Sequence, residues 1–138
     1  MSSRHKARET AFQFLYRQDM EDASQLASDV ESHFNHFKTP DDLRDFARKL
    51  VLGTVQKKQE IDELIQTHAS RWKVPRMPLV DRNLLRMAVY ELMEFTDTPT
   101  SVIINEAVVL AKNFGTAETS SFINGILDTL AQEIRKSG

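Results

Sequence analysis

The sequence predicts an all-α protein. Every strongly periodic segment repeats its apolar residues at intervals of three and four, and no stretch alternates like a strand. With 138 residues, 41% hydrophobic and 28% charged, the composition is that of a globular protein. No apolar run approaches the roughly 18 residues that a membrane span needs. The four prolines fall between the periodic segments, which favours a bundle of helices with short connections.

The first two predicted helices occupy the N-terminal part of the chain. The first begins near Ser2 or Ser3, and its apolar positions are Ala7, Ala11, Phe14 and Leu15. The second has Asp22 or Ser24 as its cap, and its apolar positions are Leu26, Val30, Phe34 and Phe37.

A long third helix is predicted from Pro40, with Thr39 as its cap, and its apolar positions extend to Ile65. Gly53 interrupts it at a cost of about 1 kcal/mol relative to alanine, which indicates close packing or a bend. The connection that follows, residues 71–79, is rich in proline. We expect it to be the seam between subdomains of about 1–70 and 79–138 in one domain spanning 1–138.

Three further helices are predicted after this connection. One begins near Asp81, and the next has Ser101 as its cap and ends at Gly115 in a left-handed C-terminal cap. The last runs from about Thr119 to Lys136, and Gly125 within it is expected to permit the close approach of a neighbouring helix.

Charge is distributed unevenly along a chain whose net charge is only −2. Residues 1–17 carry +3, residues 19–45 carry −6, and residues 71–86 carry +4. The two basic zones indicate a local anionic partner, although a solvated face explains the second zone equally well.

The first helical turn carries Arg4, Lys6 and Arg8. Cations at a helix N-terminus are unfavourable by a few tenths of a kcal/mol each, so the cluster makes more sense if a polyanion binds there. Arg4 and Arg8 share a helix face with Phe12, and Gln13 follows. Guanidinium groups contact phosphates, and amides and aromatic rings read or stack on exposed bases, which predicts an RNA site. For Phe12 and Tyr16, core packing is the equal alternative.

The usual sequence signals of catalysis are missing. There is no cysteine, no phosphate-binding glycine loop and no histidine beside an evident serine nucleophile. Asp29, His33 and His36 share a helical face, but no fourth metal ligand is indicated. We therefore expect a binding protein with no enzymatic activity, metal or cofactor. The absence of cysteine suits a reducing compartment, here the cytoplasm, although the N-terminal segment also has the composition of a transit peptide.

Four segments give the chain a specific resemblance. They are KARETAFQFLYRQ at residues 6–18, VDRNLLRMAVYEL at 80–92, SVIINEAVVLAKNFG at 101–115 and SSFINGILD at 120–128. In their order and spacing the chain resembles the transcription antitermination protein NusB family over nearly its whole length. The resemblance implies an all-α, seven-helix fold of two packed three-helix bundles without enzymatic activity.

Function and partners are also implied by the resemblance. NusB-like proteins bind boxA RNA of nascent transcripts, notably in ribosomal RNA operons, mainly through the basic N-terminal helix. They act with NusE, a small-subunit ribosomal protein, on the transcription elongation complex. Lys6 and Arg8 match the family's basic stretch and Gln13 its polar helix position, while Tyr16 and Asp81 match the partner interface. Phe122, with Glu118 nearby, matches the region implied to approach RNA.

Departures and alternatives accompany the resemblance. His5 interrupts a stretch that in the family often holds successive arginines, so RNA affinity is expected to be weaker or pH-sensitive. We expect Glu106 to connect groups between helices rather than to contact RNA. The alternative function is a protein-interaction module or homodimeric scaffold that uses surface residues such as Met20, Phe37 and Val109. A NusB-like domain preceding an RNA methyltransferase domain is a weaker option, since no second domain follows.

Overall fold

The computed structural model describes residues 3–20, 26–36, 38–69 and 71–136. These residues form seven α-helices and one short 3-10 turn, and no strand occurs among them. The helices are α1 (Ser3–Met20), α2 (Leu26–His36), α3 (Asp41–Gln56), α4 (Lys58–His68), α5 (Leu79–Glu94), α6 (Thr100–Phe114) and α7 (Ala117–Ile134). The all-α class and the helix number implied by the resemblance are confirmed. The predicted caps Asp22 and Ser24, and Phe37, lie outside the described residues.

The helices pack as two groups around α5. Helices α1, α2 and α3 pack together, as do α5, α6 and α7, while α1 and α3 both lie against α5 and α4 bridges α5 to α7. Buried side chains on several sides of α5, among them Leu84, Val89 and Leu92, join the two groups into one continuous hydrophobic core. None of the helices within the described ranges combines the length and apolarity needed to cross a bilayer.

Ion pairs fix the C-terminal end of α1 against the start of α5. Asp19 accepts hydrogen bonds from Arg82 Nε at 2.6 Å, from Arg82 Nη2 at 2.9 Å and from Asn83 Nδ2 at 2.8 Å. Arg86, which is largely buried, binds Asp62 of α4 through two hydrogen bonds of 2.8 and 2.9 Å. Because each guanidinium forms a planar two-point contact, these pairs set the register of α1, α4 and α5.

The prediction of one continuous helix from Pro40 through Ile65 is wrong. Helix α3 ends at Gln56 and α4 begins at Lys58, because Lys57 leaves the helical conformation with φ −101° and ψ 15°. The change of direction lets α3 pack on α1 and α4 pack on α7. Gly53 lies in close contact with Tyr90, and a Cβ there would overlap the Tyr90 ring, so close packing is the correct interpretation of this glycine.

Several predicted helix ends are shifted or differ in conformation. Gly115 is the C-cap of α6, as predicted, but its backbone is extended, with φ −119° and ψ −151°, rather than left-handed. The next residue, Thr116, is the N-cap of α7: its Oγ1 accepts from the Thr119 N–H at 3.3 Å, and its N–H donates to Thr119 Oγ1 at 3.2 Å. Helices α3 and α6 each begin one residue after a proline, Pro40 and Pro99, which occupy the cap positions.

Gly125 also differs from its prediction. A Cβ placed on it would meet nothing within 4 Å, so no helix approaches closely at this position. The glycine instead faces open space on the outer side of α7.

Candidate nucleic-acid and partner interface

The first turns of α1 are anchored by a buried ion pair. Arg8 is only 3% exposed, and its Nε and Nη2 donate to the Glu91 carboxylate of α5 at 2.9, 3.1 and 2.5 Å. Glu106 of α6 adds a second carboxylate, with its Oε1 at 3.6 Å from Arg8 Nη1 and its Oε2 at 2.6 Å from His5 Nδ1. Arg8 and His5 therefore connect α1 to α5 and α6, and the structural role expected for Glu106 is confirmed.

The burial of this helix face contradicts two of the predicted RNA contacts, Arg8 and Phe12. The face that carries Arg8 and Phe12 points into the molecule, and Phe12 is 2% exposed with its ring centroid 5.2 Å from that of Phe114. Neither a buried, paired guanidinium nor a core phenyl ring is available to a phosphate or a base. Arg4 remains exposed at the helix end, with its guanidinium 4.4 Å from the centroid of the Phe46 ring.

The solvent-facing side of α1 carries a different set of polar groups. Lys6, Gln13 and Arg17 lie at i, i+7 and i+11, which places them on one helix face. We call this set the outward stripe. The Lys6 side chain is 60% exposed and its ion pair with Glu9 is long at 3.6 Å, while Arg17 is exposed. Arg17 was missed by the sequence analysis, although its helical spacing from Lys6 and Gln13 was a usable signal.

A groove of about 400 Å³ runs beside the outward stripe. We call it the Tyr16 groove; Tyr16, Gln13 and Arg17 form one wall, and Val80 and Phe114 contribute apolar surface. Tyr16 is half-buried, with its ring centroid 6.1 Å from that of Phe12. A groove that combines an aromatic floor with charged and amide groups at its edge suits a peptide or nucleotide segment.

A second groove brings together three candidates that are far apart in sequence. Asp81, Glu118 and Phe122 line a cleft of about 220 Å³ together with Trp72. We call it the Asp81 groove. Since Val80 lines the Tyr16 groove and Asp81 the second one, the two grooves are neighbours at the start of α5. The structure thus places the residues expected to meet the partner beside those expected to approach RNA.

Asp81 is a buried hydrogen-bond acceptor whose carboxylate is not fully satisfied by the described residues. It is 8% exposed, and its Oδ1 has no hydrogen-bond partner within the described part of the chain. Burial raises the pKa of Asp81, and a hydrogen bond with the Thr119 side chain only partly offsets that effect. Asp19 behaves in the opposite way: burial acts to raise its pKa, but the hydrogen bonds from Arg82 and Asn83 and the nearby guanidinium charges lower it overall.

These opposite pKa shifts predict opposite pH effects on stability. A raised folded-state pKa means that the charged Asp81 destabilises the fold as pH rises, whereas Asp19 contributes stability that is lost as pH falls below about 4. Between pH 4 and 7, the free energy of unfolding of Asp81→Asn should rise relative to that of the wild type. Asp19→Asn should lose stability relative to the wild type as the pH rises to about 4, and the difference should then stay constant up to pH 7. Urea denaturation at each pH measures both differences, and a parallel trend in the two variants would contradict the assignment.

The described residues offer no metal site. No group of three or more histidine, aspartate or glutamate side chains among them is arranged to hold an ion. His33 is 1% exposed, with its ring centroid 5.4 Å from that of Phe14, whereas His36 is exposed. Burial, with a smaller contribution from the charge of Arg17, lowers the pKa of His33 to about 4. Asp29, His33 and His36 therefore do not form a set of metal ligands on one helix face.

The fold and the surface together define a class: an all-α protein whose first helix is anchored to α5 and α6 by ion pairs and presents a polar stripe beside two grooves. Comparison with known proteins shows which family has this fold. The family model described as NusB family matches residues 5–132. Transcription antitermination protein NusB of Myxococcus xanthus (strain DK1622) is 42% identical, covering 99% of each chain. That of Desulfatibacillum aliphaticivorans is also 42% identical, covering 99% of this chain and 94% of the relative.

Solved structures show the same similarity. NusB of T. maritima superposes with a TM-score of 0.89 at 32% identity, covering 97% of this chain and 94% of that one. A structure described as antitermination factors NusB and NusE in complex with dsRNA gives a TM-score of 0.87 at 28% identity, covering 96% and 98%. The chain belongs to the NusB family of transcription antitermination proteins.

Proposed function

We propose that the protein is a non-enzymatic, cytoplasmic antitermination factor that binds single-stranded boxA-type RNA of nascent transcripts, including ribosomal RNA transcripts. It does so together with NusE within the transcription elongation complex. The observation that carries the proposal is the outward stripe of α1, whose exposed cations face solvent while Arg8 is held inside. RNA and NusE as partners are also supported by the similar structure in which NusB and NusE are in complex with dsRNA.

The RNA backbone follows the outward stripe in this proposal. Lys6 and Arg17 are eleven residues apart, about 16 Å along the helix, with Gln13 between them. The two cations contact phosphates, and Gln13 has both a donor and an acceptor for a base edge. Arg4, exposed and stacked on Phe46, extends the positive surface at the helix start. Phe122 stacks on a base, and Glu118 accepts a hydrogen bond from a base amino group.

NusE occupies the Tyr16 groove and the part of the Asp81 groove next to Asp81. The apolar surface of Val80 and Phe114 in the Tyr16 groove suits an apolar side chain of a protein partner. Asp81 Oδ1 lies at the edge of the next groove and accepts an N–H from the partner, which satisfies a buried acceptor that has no partner within the described residues. Partner and RNA then meet along the boundary between the two grooves.

Removing two cations of the outward stripe tests the RNA site. In Lys6→Ala/Arg17→Ala, affinity for a boxA-type single strand should fall about tenfold at low salt, and the slope of log affinity against log salt should become shallower by about 1.4, since each phosphate contact contributes roughly 0.7. Fluorescence anisotropy of end-labelled RNA over a salt series measures both quantities.

The matched control removes two exposed cations from other helices. Lys49→Ala/Lys58→Ala alters α3 and α4 and should leave affinity and slope nearly unchanged. Equal losses in both double variants would mean that the protein attracts RNA by general charge only, and the proposed site would be wrong.

Exposed apolar residues favour the alternative of a homodimeric scaffold. Val102 and Val109 are 41% and 42% exposed and lie seven residues apart on α6, and Met20 is 56% exposed. Burying such a surface in a second copy is favourable. A mass in solution of twice that of the chain, persisting in the presence of RNA and without RNA affinity, would favour this alternative over the RNA-binding proposal.

A further inference from the structure

The ring of Phe46, a residue of α3, lies beside two arginines of α1. The Cζ atom of the Arg4 guanidinium is 4.4 Å from the centroid of this ring, and that of Arg8 is 5.3 Å from it. A guanidinium within about 6 Å of a ring centroid is attracted electrostatically by the face of the ring. Phe46 therefore attracts both cations, although it carries no charge itself.

The two arginines differ in their other partners. The Arg8 guanidinium is buried and is held by the Glu91 carboxylate. Arg4 is exposed, and its guanidinium forms no hydrogen bond or ion pair with a described residue. Unlike a carboxylate, a phenyl ring does not neutralise the charge that it attracts. Arg4 is therefore held in place by Phe46 and keeps its positive charge for an anion from outside the chain.

The end of α5 keeps the Phe46 ring in position. The Phe95 ring packs against it edge-to-face, with the two centroids 5.2 Å apart and the ring planes at 84°. Phe95 in turn packs on Tyr90, with the centroids 6.1 Å apart. Its backbone is fixed as well, since Arg135 Nη2 donates to the Phe95 carbonyl at 2.9 Å and Arg135 Nε donates to that of Leu92 at 3.0 Å. Helices α3 and α5 and the residue after α7 thus build one support beside the first turn of α1.

We propose that Phe46 is a positioning residue for RNA binding: its ring holds the Arg4 guanidinium at the start of α1, where the guanidinium contacts a phosphate. This inference rests on the proposed function and deepens it, because Phe46 acts through Arg4 and does not touch the RNA. An arginine side chain that moves freely loses rotamer freedom when it binds, and this loss weakens the affinity. A side chain already held against a ring has lost much of that freedom beforehand. Removing the ring should therefore weaken RNA binding although no charge is removed.

Core packing is the alternative role of Phe46. The side chain is half-buried and packs against the hydrophobic core, so its loss also lowers the stability of the fold. A loss of stability would weaken RNA binding whether or not Arg4 is present. A positioning role, in contrast, disappears when Arg4 is absent, because the ring then has no exposed cation to hold.

Affinity for a boxA-type single strand, measured by fluorescence anisotropy over a salt series, separates the two roles. Phe46→Leu should weaken binding about threefold with the salt slope unchanged, because the cost of ordering one side chain returns while its charge stays. Arg4→Ala should weaken binding about fivefold and make the slope shallower by about 0.7. In the Arg4→Ala background, Phe46→Leu should cause no further loss. Phe46→Tyr, which keeps the ring, should bind within about twofold of the wild type.

Phe34→Leu is the matched control for the loss of a ring. Phe34 of α2 is fully buried, and the guanidiniums of Arg44 and Arg48 lie 5.9 and 5.7 Å from its centroid. Both of these arginines pair with carboxylates, so this ring holds no cation that is available to RNA. The variant should unfold at a lower urea concentration than the wild type, yet bind RNA with the affinity and the salt slope of the wild type.

NMR of the RNA-free protein tests the contact itself. The side-chain protons of Arg4 should be shifted upfield by the ring current of Phe46. The shift should vanish in Phe46→Leu and remain in Phe46→Tyr. Unshifted Arg4 protons in the wild type would mean that the ring does not hold this side chain, and the inference would be wrong whatever the RNA affinity.

Each contrary outcome has a distinct meaning. If RNA binding depends on Lys6 and Arg17 but is unchanged in Arg4→Ala or in Phe46→Leu, the inference is wrong and the proposed function stands. If Phe46→Leu weakens binding equally in the wild type and in the Arg4→Ala background, the ring acts only through the stability of the fold and the inference is overturned. An equal loss in Phe34→Leu would have the same meaning. If the wild type binds no RNA, with or without NusE, the proposed function and the inference both fail.

Discussion

Replacing Glu91 by alanine is expected to lower the free energy of unfolding by about 3–5 kcal/mol, because the buried guanidinium of Arg8 loses its counter-charge. Glu106 cannot replace it fully, since its carboxylate lies 3.6 Å from Arg8 Nη1 and also contacts His5. Chemical denaturation with urea measures the loss. Glu94→Ala, on the same helix, is the control: its pair with Lys57 lies at the surface, where ion pairs contribute little, so stability should hardly change.

A double substitution separates the charge from the packing. Arg8→Leu/Glu91→Leu removes both charges together, and a buried pair replaced by apolar groups of similar size is often neutral in stability. The double variant should therefore be more stable than Glu91→Ala alone. If Glu91→Ala were as mild as Glu94→Ala, the ion pair would not be the anchor of α1 that the structure indicates.

Replacing Gly53 by alanine is expected to lower the free energy of unfolding by about 2 kcal/mol, as overpacking of a filled core does. The new methyl group would overlap the Tyr90 ring between α3 and α5, and this cost exceeds the gain of up to about 1 kcal/mol in helix propensity. Thermal and urea denaturation measure the change. Reducing the ring in Gly53→Ala/Tyr90→Leu should recover part of the loss.

Gly125→Ala is the control for Gly53→Ala. It makes the same substitution, but we expect it to raise the free energy of unfolding instead of lowering it. Gly125 is also inside a helix, but its Cβ would meet nothing, so only the propensity gain of about 0.5–1 kcal/mol remains. Destabilisation by both alanines would mean that the close approach of Tyr90 to Gly53 is not what makes that position special.

The local sequence pattern was sufficient to predict the helices but not to predict where one helix breaks. The apolar periodicity of α1, α6 and α7 reflects a one-sided contact with the core, which each segment records by itself. The break at Lys57 leaves no such record, because lysine is a good helix former and the break depends on where α4 meets α7. For Gly53 the sequence left close packing and a bend as alternatives, because Tyr90, the residue that contacts it, belongs to another helix.

The direction of Arg8 shows why the site was only partly predictable. A charged residue in the first turn is usually solvated, and the carboxylate that holds Arg8 inside is 83 residues away. Two signals were present: Arg8 lies on the same helix face as Ala11 and Leu15, and Glu91 lies between buried residues of α5. Only the folded structure, however, brings Arg8 and Glu91 together.

The grooves depend on the fold in the same way. Tyr16 and Val80, or Asp81 and Phe122, become neighbours only when α5 packs against α1 and α7. The resemblance to a family could name Tyr16, Asp81, Glu118 and Phe122 individually. It did not indicate that the last three share one groove with Trp72.

The most direct measurement is a titration of the protein with a boxA-type single-stranded RNA and with a scrambled strand of equal composition, each with and without NusE. Both RNA binding and the role of the partner are tested in one experiment. We expect the boxA-type strand to bind more tightly than the scrambled one, with NusE increasing the difference and Lys6→Ala/Arg17→Ala reducing the affinity. Equal affinity for the two strands in the presence of NusE, or no dependence on Lys6 and Arg17, would contradict the proposal that the outward stripe of α1 binds RNA.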